Sequence, residues 1–155
     1  MRFAIDSNIL VYAFIHDDDE RHRIAADLMI RASLTDAILP AQVLGEFMAV
    51  IRRKFSVYAL QAVDQIAKWA ETFVIVETTD AGVVAGARFA LRHKLQVWDS
   101  IIWQASAAAG AEYIFSEDMQ DGLAIGGVTI IDPFIPANAA LLDVLLTPMD
   151  EIERL

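Results

Sequence analysis

The sequence predicts an α/β fold with a mainly parallel sheet flanked by helices. Short apolar runs alternate along the chain with longer segments in which apolar residues recur at helical spacing. This alternation is typical of βαβ units. The length of 155 residues and the apolar fraction of 56% further indicate one domain that can bury a substantial core.

Five short apolar runs are the predicted strands. A turn or helix signal follows several of them, such as Asp6 after the first run and Pro40 after the second. The run that begins at Phe73 is β-branched, as strands favour. The five runs cover residues 2–5, 37–39, 73–76, 113–115 and 128–131.

Helices are predicted between these strands. Residues 41–54 form a strongly amphipathic helix, because Val43, Phe47 and Ile51 share one face. The acidic residues 17–20 lie where they favour the N-terminus of another helix. Further helices are predicted over about 56–71, from a Thr79–Asp80 cap to His93, and from Trp98 to Ala109, closed by Gly110.

The segment after the last strand, residues 132–155, forms an extension of the predicted domain. It contains Pro133, Pro136 and Pro148 around an apolar patch from Ala139 to Leu146. We expect the extension to pack on the domain as a short helix. The alternative is that it holds a partner protein.

The sequence contains no apolar segment of the kind that a membrane span or a signal peptide requires. The longest nearly uncharged stretch, from Ser100 to Ala111, is shorter than the roughly 20 residues that a membrane span needs. Asp6 interrupts the N-terminus before an apolar signal region can develop. We therefore expect no membrane span and a cytoplasmic location, with which the absence of cysteine agrees.

The charge of the chain limits how it can bind nucleic acid. A formal net charge of -10 argues against binding through a basic surface. The objection weakens if several of the acids hold divalent ions, because such ions invert the local field and bind phosphate themselves.

Two acidic residues follow predicted strands. Asp6 ends the first strand, and Asp118 lies just beyond the fourth. The carboxyl ends of parallel strands meet at one edge of a sheet, where ligands bind in open α/β folds. We therefore expect the two carboxylates to share one rim, although a turn or a helix cap would also explain each of them alone.

Two further acids lie beside the apolar faces of predicted helices. Glu46 is about 100° from Phe47 on the helical wheel, and Asp99 is within about 60° of Ile102. An unpaired carboxylate at such a position is costly. The alternatives are that Asp99 caps a helix beginning at Ser100 and that Glu46 pairs with a nearby arginine.

The coincidence of these four acids indicates a cation site. All four are hard oxygen donors, and the chain has no cysteine and no histidine pair at a zinc-type spacing. Mg²⁺ fits such a site best, with Mn²⁺ as the other candidate. Ions held in this way activate water for in-line attack on a phosphodiester. The residues therefore favour phosphodiester hydrolysis.

The order of these residues resembles that of the PIN-domain nucleases, especially the VapC-type toxins of bacterial toxin-antitoxin pairs. Residues 4–12, with the sequence AIDSNILVY, resemble the first motif of the family. This motif would make Asp6 a ligand, with Ser7 and Asn8 in its polar turn. Residues 42–47, with the sequence QVLGEF, are similar to the second motif and supply Glu46 as its acid.

The second half of the chain resembles the two remaining motifs. Residues 98–102, with the sequence WDSII, resemble the third, in which Asp99 opens a helix. Residues 115–122, with the sequence FSEDMQDG, resemble the fourth. Here Ser116 would orient the acids and Asp118 would complete the site, while Asp121 could replace or assist Asp118. Four motifs in this order and at this spacing make the resemblance specific.

The resemblance implies a fold, an activity and partners. It implies a PIN-like nuclease domain over residues 1–131, with a five-stranded parallel sheet and a homodimer. It also implies an Mg²⁺-dependent endoribonuclease whose partners are RNA and an antitoxin that covers the site. The extension 132–155 is longer than that of many compact relatives and could alter dimer or antitoxin contacts. The cations of residues 52–54 and 88–94 could contact phosphates, although cations are also ordinary at helix C-termini.

Two other functions remain open at this point. One is an Mg²⁺-dependent phosphohydrolase or phosphoacceptor domain in which the phosphoryl group is transferred to Asp6. Such sites usually place a lysine near the phosphate, and no lysine follows a predicted strand here. The other is a non-catalytic PIN-fold module that binds RNA or protein, against which the complete set of four acids speaks.

Overall fold

The computed structural model describes residues 1–155 and shows one sheet flanked by helices. The strands are β1 (Phe3–Ile5), β2 (Ala37–Pro40), β3 (Val74–Val76), β4 (Tyr113–Phe115), β5 (Ala124–Ile125) and β6 (Val128–Ile131). The helices are α1 (Ser7–Phe14), α2 (Asp19–Ala32), α3 (Ala41–Lys54), α4 (Ala59–Thr72), α5 (Asp80–His93), α6 (Val97–Ala108), α7 (Ala139–Leu145) and α8 (Met149–Ile152). No helix has both the length and the apolar character that crossing a membrane would require.

The strands form a single sheet in the order β3-β2-β1-β4-β6-β5. Every neighbouring pair is parallel except β5 and β6. Strand β1 lies between β2 and β4, and all of its residues are buried. The predicted α/β fold with a mainly parallel sheet is therefore confirmed.

The sheet has one strand more than the five expected. Strand β5 contains only two residues and turns back onto β6 through Gly126 and Gly127. Both glycines have positive φ angles, 60° and 83°, which a tight hairpin turn favours. A strand of two residues has no periodic pattern, so the sequence alone did not reveal it.

Aromatic contacts connect the elements that carry the acidic residues. Phe47 of α3 packs edge-on against Phe14 of α1 and Trp69 of α4, with ring centroids 5.5 and 5.0 Å apart. Phe3 of β1 and Phe115 of β4 are 5.5 Å apart in the same core. Such pairs contribute specific geometry in addition to buried area. They fix α3 and β4 relative to β1.

The extension after β6 lies against the body of the domain. Leu142 and Leu146 are buried members of the hydrophobic core. The buried guanidinium of Arg31 on α2 donates hydrogen bonds to the carbonyl oxygens of Thr147 (2.8 Å) and Leu142 (3.3 Å). It also forms ion pairs with Asp143 at 2.9 Å and Asp27 at 3.3 Å. A buried cation needs such partners, and these connect α7 to α2.

Helices α5 and α6 approach closely at Gly86. A Cβ atom at this position would lie 2.7 Å from Cγ1 of Ile101 and 2.9 Å from its Cα atom. The second contact is with the backbone, which cannot rotate away as a side chain can. The absence of a side chain at Gly86 therefore sets the position of α6, which carries Asp99 two residues before Ile101.

We predict that Gly86→Ala lowers the free energy of unfolding by about 1–3 kcal/mol, because it overpacks the contact between α5 and α6. Gly45→Ala is the matched control, since a Cβ atom there would have no neighbour within 4 Å. This exposed helical position should gain up to about 1 kcal/mol from the same change. Chemical denaturation measures both values, and equal effects of the two substitutions would contradict the prediction.

Candidate functional site

Four carboxylates from separate parts of the fold line one cleft of about 300 Å³. Asp6 comes from the end of β1, Glu46 from α3, Asp99 from α6 and Asp118 from the loop after β4. The other residues that line the cleft are Ser7, Ala49, Val50, Arg53, Gln96 and Trp98. The structure thus brings together the four acids that the sequence placed in one site.

The pairing of β1 with β4 explains why Asp6 lies beside the loop that carries Asp118. Ile5 is the register partner of Phe115, and the backbone N–H of Asp6 donates to the carbonyl oxygen of Phe115 at 3.0 Å. The residues that follow the two strands, Asp6 and Ser116, therefore leave the sheet at the same edge. This places Asp6 beside Ser116, two residues before Asp118.

Asp6 is 2% exposed, and three donors hold its carboxylate. Oδ2 accepts a hydrogen bond from the Ser116 hydroxyl at 2.7 Å and one from the Asn8 amide at 3.2 Å. Oδ1 accepts from the backbone N–H of Ser7 at 2.7 Å, so Asp6 is also the N-cap of α1. The capping explanation is therefore correct for Asp6 but does not explain its burial, which is costly for a carboxylate.

The side chain of Asn8, in the first motif, is hydrogen-bonded to three residues of the fourth motif. Its amide nitrogen lies 3.2 Å from Asp118 Oδ2 and 3.3 Å from Ser116 Oγ. Its carbonyl oxygen accepts from the backbone N–H of Glu117 at 3.1 Å. Ser116 Oγ accepts in turn from the backbone N–H groups of Asp118 and Met119, at 3.2 and 3.3 Å. These contacts fix the loop that presents Asp118 to the cleft.

Glu46 and Asp99 face the cleft from two helices. Gln42, one turn before Glu46, donates from Nε2 to Glu46 Oε2 and to the carbonyl oxygen of Trp98, each at 3.2 Å. The same amide therefore connects α3 with the start of α6. Glu46 has no arginine or lysine within ion-pair distance. The alternative of a salt bridge for Glu46 is thus wrong.

The capping alternative for Asp99 is also wrong. Helix α6 begins at Val97 with Gln96 at the N-cap position, so Asp99 lies within the first turn. A carboxylate there interacts favourably with the helix dipole. Burial nevertheless raises the pKa of Asp99, and the charges of Glu46 and Asp118 raise it further.

The electrostatics of the cleft disfavour the ionised forms of Asp6 and Asp99. Burial raises the pKa of Asp6 to about 6, although the hydrogen bonds from Ser116 and Ser7 oppose this change. The charges of Asp99 and Glu46 raise it further. Raised pKa values of neighbouring carboxyl groups show that their negative charges are not compensated by the protein. A cation between them would supply that compensation.

The residues of the cleft fit a hard divalent cation by the chemistry of their donors. All four acids offer carboxylate oxygens, which Mg²⁺ and Mn²⁺ prefer. No three His, Cys, Asp or Glu side chains are arranged in this structure to hold a metal ion together. The site is therefore a set of suitable donors around one cleft, without a preformed coordination sphere.

Asp121, which the sequence analysis considered as a replacement for or an assistant to Asp118, does not line the cleft with the other acids. Its Oδ1 atom accepts from the backbone N–H of Asp132 at 2.8 Å and from the side-chain amide of Asn138 at 2.9 Å. Asp121 instead connects the loop after β4 to the start of the extension.

A second cluster of hydrogen-bonded side chains lies beside the cleft, and the sequence did not reveal it. Glu117 accepts from the Tyr12 hydroxyl at 2.8 Å and from Arg21 Nε at 2.7 Å. The guanidinium of Arg21 lies 5.7 Å from the Tyr12 ring and 5.4 Å from the ring of Phe134. Burial and the hydrogen bond to Glu117 raise the pKa of Tyr12 to about 12. Only the position of Glu117 inside the fourth motif could have pointed to this cluster.

We predict that Asp6→Asn stabilises the metal-free protein at neutral pH. A pKa raised from 3.8 to about 6 means that the folded state binds the Asp6 proton more tightly than the unfolded chain does. Stability is therefore lost as the pH rises from about 4 through about 6, by roughly 3 kcal/mol at most. In thermal unfolding with a chelator present, the Tm of Asp6→Asn should rise relative to that of the wild type as the pH increases over this range.

Asp36→Asn is the control for this prediction. The pKa of Asp36 is lowered by its hydrogen bond and ion pair with Arg2, so its pH effect has the opposite sign. Asp36→Asn should therefore lose stability relative to the wild type as the pH rises. A stability difference between Asp6→Asn and the wild type that does not change with pH would contradict the prediction.

Solved structures with a similar fold include toxins of bacterial toxin-antitoxin pairs. VapC20 of Mycobacterium tuberculosis, a toxin that cleaves the sarcin-ricin loop, matches with a TM-score of 0.62 and 16% identity, over 75% of this chain and 89% of that chain. A toxin-antitoxin complex from Klebsiella pneumoniae matches with a TM-score of 0.61 and 18% identity, over 84% and 96%. VapBC2 of Rickettsia felis, bound to a promoter DNA fragment, gives 0.60 and 15%, over 84% and 97%.

These identities are low, so the solved structures establish the fold and not the activity. No match was found among curated protein sequences. The model of the PIN-domain family, however, matches residues 3–121, which include all four acids of the cleft. The resemblance drawn from the four motifs is thereby confirmed, and the chain belongs to the PIN-domain family.

Proposed function

We propose that the protein is a metal-dependent endoribonuclease and the toxin of a toxin-antitoxin pair. The observation that carries this proposal is the cleft itself, in which Asp6, Glu46, Asp99 and Asp118 meet within a PIN-domain fold. Members of this family are typically nucleases that use divalent metals. The raised pKa values of Asp6 and Asp99 support a cationic ligand in the same place.

Mg²⁺ is the proposed cofactor, and Mn²⁺ is the alternative. The four carboxylates would hold the ion, with Asp6 and Asp99 as the central pair because burial raises the pKa of both. When bound, such an ion lowers the pKa of a water molecule and neutralises charge on the phosphate. The chain itself offers no cysteine for a covalent route.

The protein's own residues prepare this site by fixing the carboxylates. Ser116 and Asn8 hold Asp6 Oδ2, and Asn8 also reaches Asp118. Gln42 orients Glu46 from one helical turn away. Ligands that are held by a second layer of hydrogen bonds bind metals more tightly, and loss of such contacts typically costs 10- to 100-fold. Ser7, Asn8 and Ser116 therefore have supporting roles in the proposal.

The geometry does not favour a phosphoacceptor role for Asp6. Its carboxylate is buried, and hydrogen bonds engage both oxygens. Attack on phosphorus needs an oxygen that a whole phosphoryl group can approach, whereas a metal ion can use the second lone pair of Oδ1, which accepts only one hydrogen bond. The lysine that such sites usually require is also missing from the residues that line the cleft. A non-catalytic binding module differs from the proposal only in activity, which the substitutions below test directly.

The proposed partners are RNA, an antitoxin and a second copy of the chain. Structures of the VapBC type contain an antitoxin together with the toxin, which supports an antitoxin for this protein. Trp98 at the cleft is 63% exposed and offers an apolar contact to such a partner. Leu60 and Val63 are exposed on α4 and support a homodimer. We place the protein in the cytoplasm, where its RNA substrate is found.

We predict that Asp6→Asn and Asp99→Asn each reduce RNA cleavage on the order of 100-fold or more, since each removes a ligand charge from the cleft. Cleavage of a labelled RNA in Mg²⁺ or Mn²⁺, and its loss in chelator, measures this. Asp150→Asn, an exposed acid of α8, is the control and should retain activity. Full cleavage in chelator or by either cleft variant, with circular dichroism unchanged, would refute the proposal. Expression of the wild type or Asp150→Asn should arrest growth, and expression of Asp6→Asn or Asp99→Asn should not.

Asp118 and Asp121 should respond differently to the same substitution. Asp118→Asn should lower cleavage strongly, because its carboxylate lines the cleft. Asp121→Asn should leave cleavage within about threefold and should loosen the extension, because it weakens the contacts to Asp132 and Asn138. Cleavage assays and limited proteolysis of the extension separate the two effects. If Asp121→Asn lowered cleavage more than Asp118→Asn, the fourth acid of the site would be Asp121.

A further inference from the structure

A groove of about 380 Å³ adjoins the carboxylate cleft on the side of α1 and the C-terminal end of α3. Cleft and groove share four lining residues, so they are continuous: Ser7, Val50, Arg53 and Asp118. A ligand that reaches the four acids can therefore extend into this groove without leaving the surface. None of the proposed ligand residues except Asp118 belongs to the groove.

The groove continues into a second depression of about 470 Å³. The two share Asp17 and Phe55, and the far wall of the second depression includes Tyr58 and Gln61. Cleft, groove and second depression thus form one path, which we call the track. It leads from the four acids to the short 3₁₀ turn before α4.

Two cations line the track without forming an ion pair. Arg53 lines both the cleft and the groove, and Lys54 lines the groove. Neither forms an ion pair, whereas Arg2, Arg21 and Arg31 all do. Placement at a helix C-terminus explains why cations are tolerated there but not why they face a groove beside the acids. Free cations along a groove are the usual means of binding a phosphate backbone.

Besides the four acids of the cleft, two further acids line the track, and their effects differ. Glu117 is paired with Arg21 at 2.7 Å, so its charge is compensated. Asp17 has no cationic partner and lies where the groove meets the second depression. The end of the track nearest the four acids is therefore the more favourable part for a phosphate.

Aromatic side chains alternate with these charges. Tyr12 and Phe55 line the groove, and Tyr58 lines the second depression with 47% of its surface exposed. Aromatic side chains in a basic groove stack the unpaired bases of single strands, whereas bases inside a duplex are not available for stacking. The combination of Arg53 and Lys54 with Phe55 and Tyr58 therefore suits a single strand.

We propose that the track binds the single-stranded RNA on one side of the scissile phosphate, with Arg53 and Lys54 on its backbone and Tyr58 under one of its bases. This inference rests on the proposed ribonuclease function and names how the same site holds its substrate. Arg53 and Lys54 give the end of the track beside the four acids two positive charges, although the net charge of the protein is -10.

Binding and cleavage of RNA, measured separately, test the proposal. A labelled, unstructured 12-nucleotide RNA is titrated with the full-length protein in Ca²⁺, and the same RNA is then cleaved in Mg²⁺. Arg53→Ala and Lys54→Ala should each weaken binding by about threefold to tenfold and reduce the salt slope by roughly 0.7. Tyr58→Leu should weaken binding of the 12-mer by about tenfold and leave a 4-nucleotide RNA unaffected.

Matched controls remove the same charges elsewhere. Arg23→Ala removes an exposed arginine from α2, and Lys68→Ala removes an exposed lysine from α4. Neither residue lines the track, so binding, KM and salt slope should stay within about twofold of the wild type. Circular dichroism of every variant establishes that the fold is retained.

The possible results separate this inference from the proposed function. Cleavage by the wild type with equal effects of the track and control variants overturns the track but leaves the ribonuclease proposal intact. Track-dependent binding without any cleavage supports the track and overturns the ribonuclease proposal. Track variants that bind RNA normally but lose a co-expressed antitoxin would assign the surface to a protein partner and overturn the inference.

Discussion

The hydrogen bond from Ser116 to the buried carboxylate of Asp6 joins the sheet to the proposed site. It spans the two central strands, because Asp6 follows β1 and Ser116 follows β4. A buried carboxylate is costly, and here the three donors around Asp6 offset only part of that cost, since its pKa is still raised. The fold therefore tolerates an unfavourable charge at the centre of its sheet edge, which is understandable if a ligand completes the compensation.

The loop that carries Asp118 is held from both sides. On one side, Glu117 contacts Tyr12 of α1 and Arg21 of α2, and Arg21 also lies over Phe134 of the extension. On the other side, Asp121 receives hydrogen bonds from Asp132 and the Asn138 side chain. The extension thus contacts the site loop directly at Asp121 and indirectly through Arg21. These contacts give the extension a structural role in this chain.

The sequence predicted those features that depend on local signals. The bounds of α3 followed from its amphipathic pattern after Pro40, and Thr79 caps α5 as its side chain predicts. Glu46 and Asp99 were recognised because a carboxylate beside an apolar face needs compensation of its charge, and neither helix supplies a cation to it. The parallel strand order then brought their cleft to the ends of β1 and β4.

Features that depend on long-range contacts were not predictable in the same way. Arg21 and Glu117 are separated by 96 residues, and nothing in either neighbourhood specifies the pair. Asp121 lies in a motif that allows it to face the cleft, and only its contacts with the extension show that it turns elsewhere. Strand β5 was missed because two residues carry no pattern, although the Gly126–Gly127 pair was a usable turn signal.

The distribution of charge reconciles an acidic protein with the acidic substrate that we propose for it. Without a cation, the cleft repels phosphate, because Asp6, Glu46, Asp99 and Asp118 concentrate negative charge in about 300 Å³. A bound divalent ion reverses the local field, so metal affinity and RNA affinity are coupled on the proposed function. Arg53 and Lys54 beside the cleft would then attract phosphate together with the ion. Nucleic-acid binding by this protein therefore requires a local arrangement of charge, and the net charge of -10 does not exclude it.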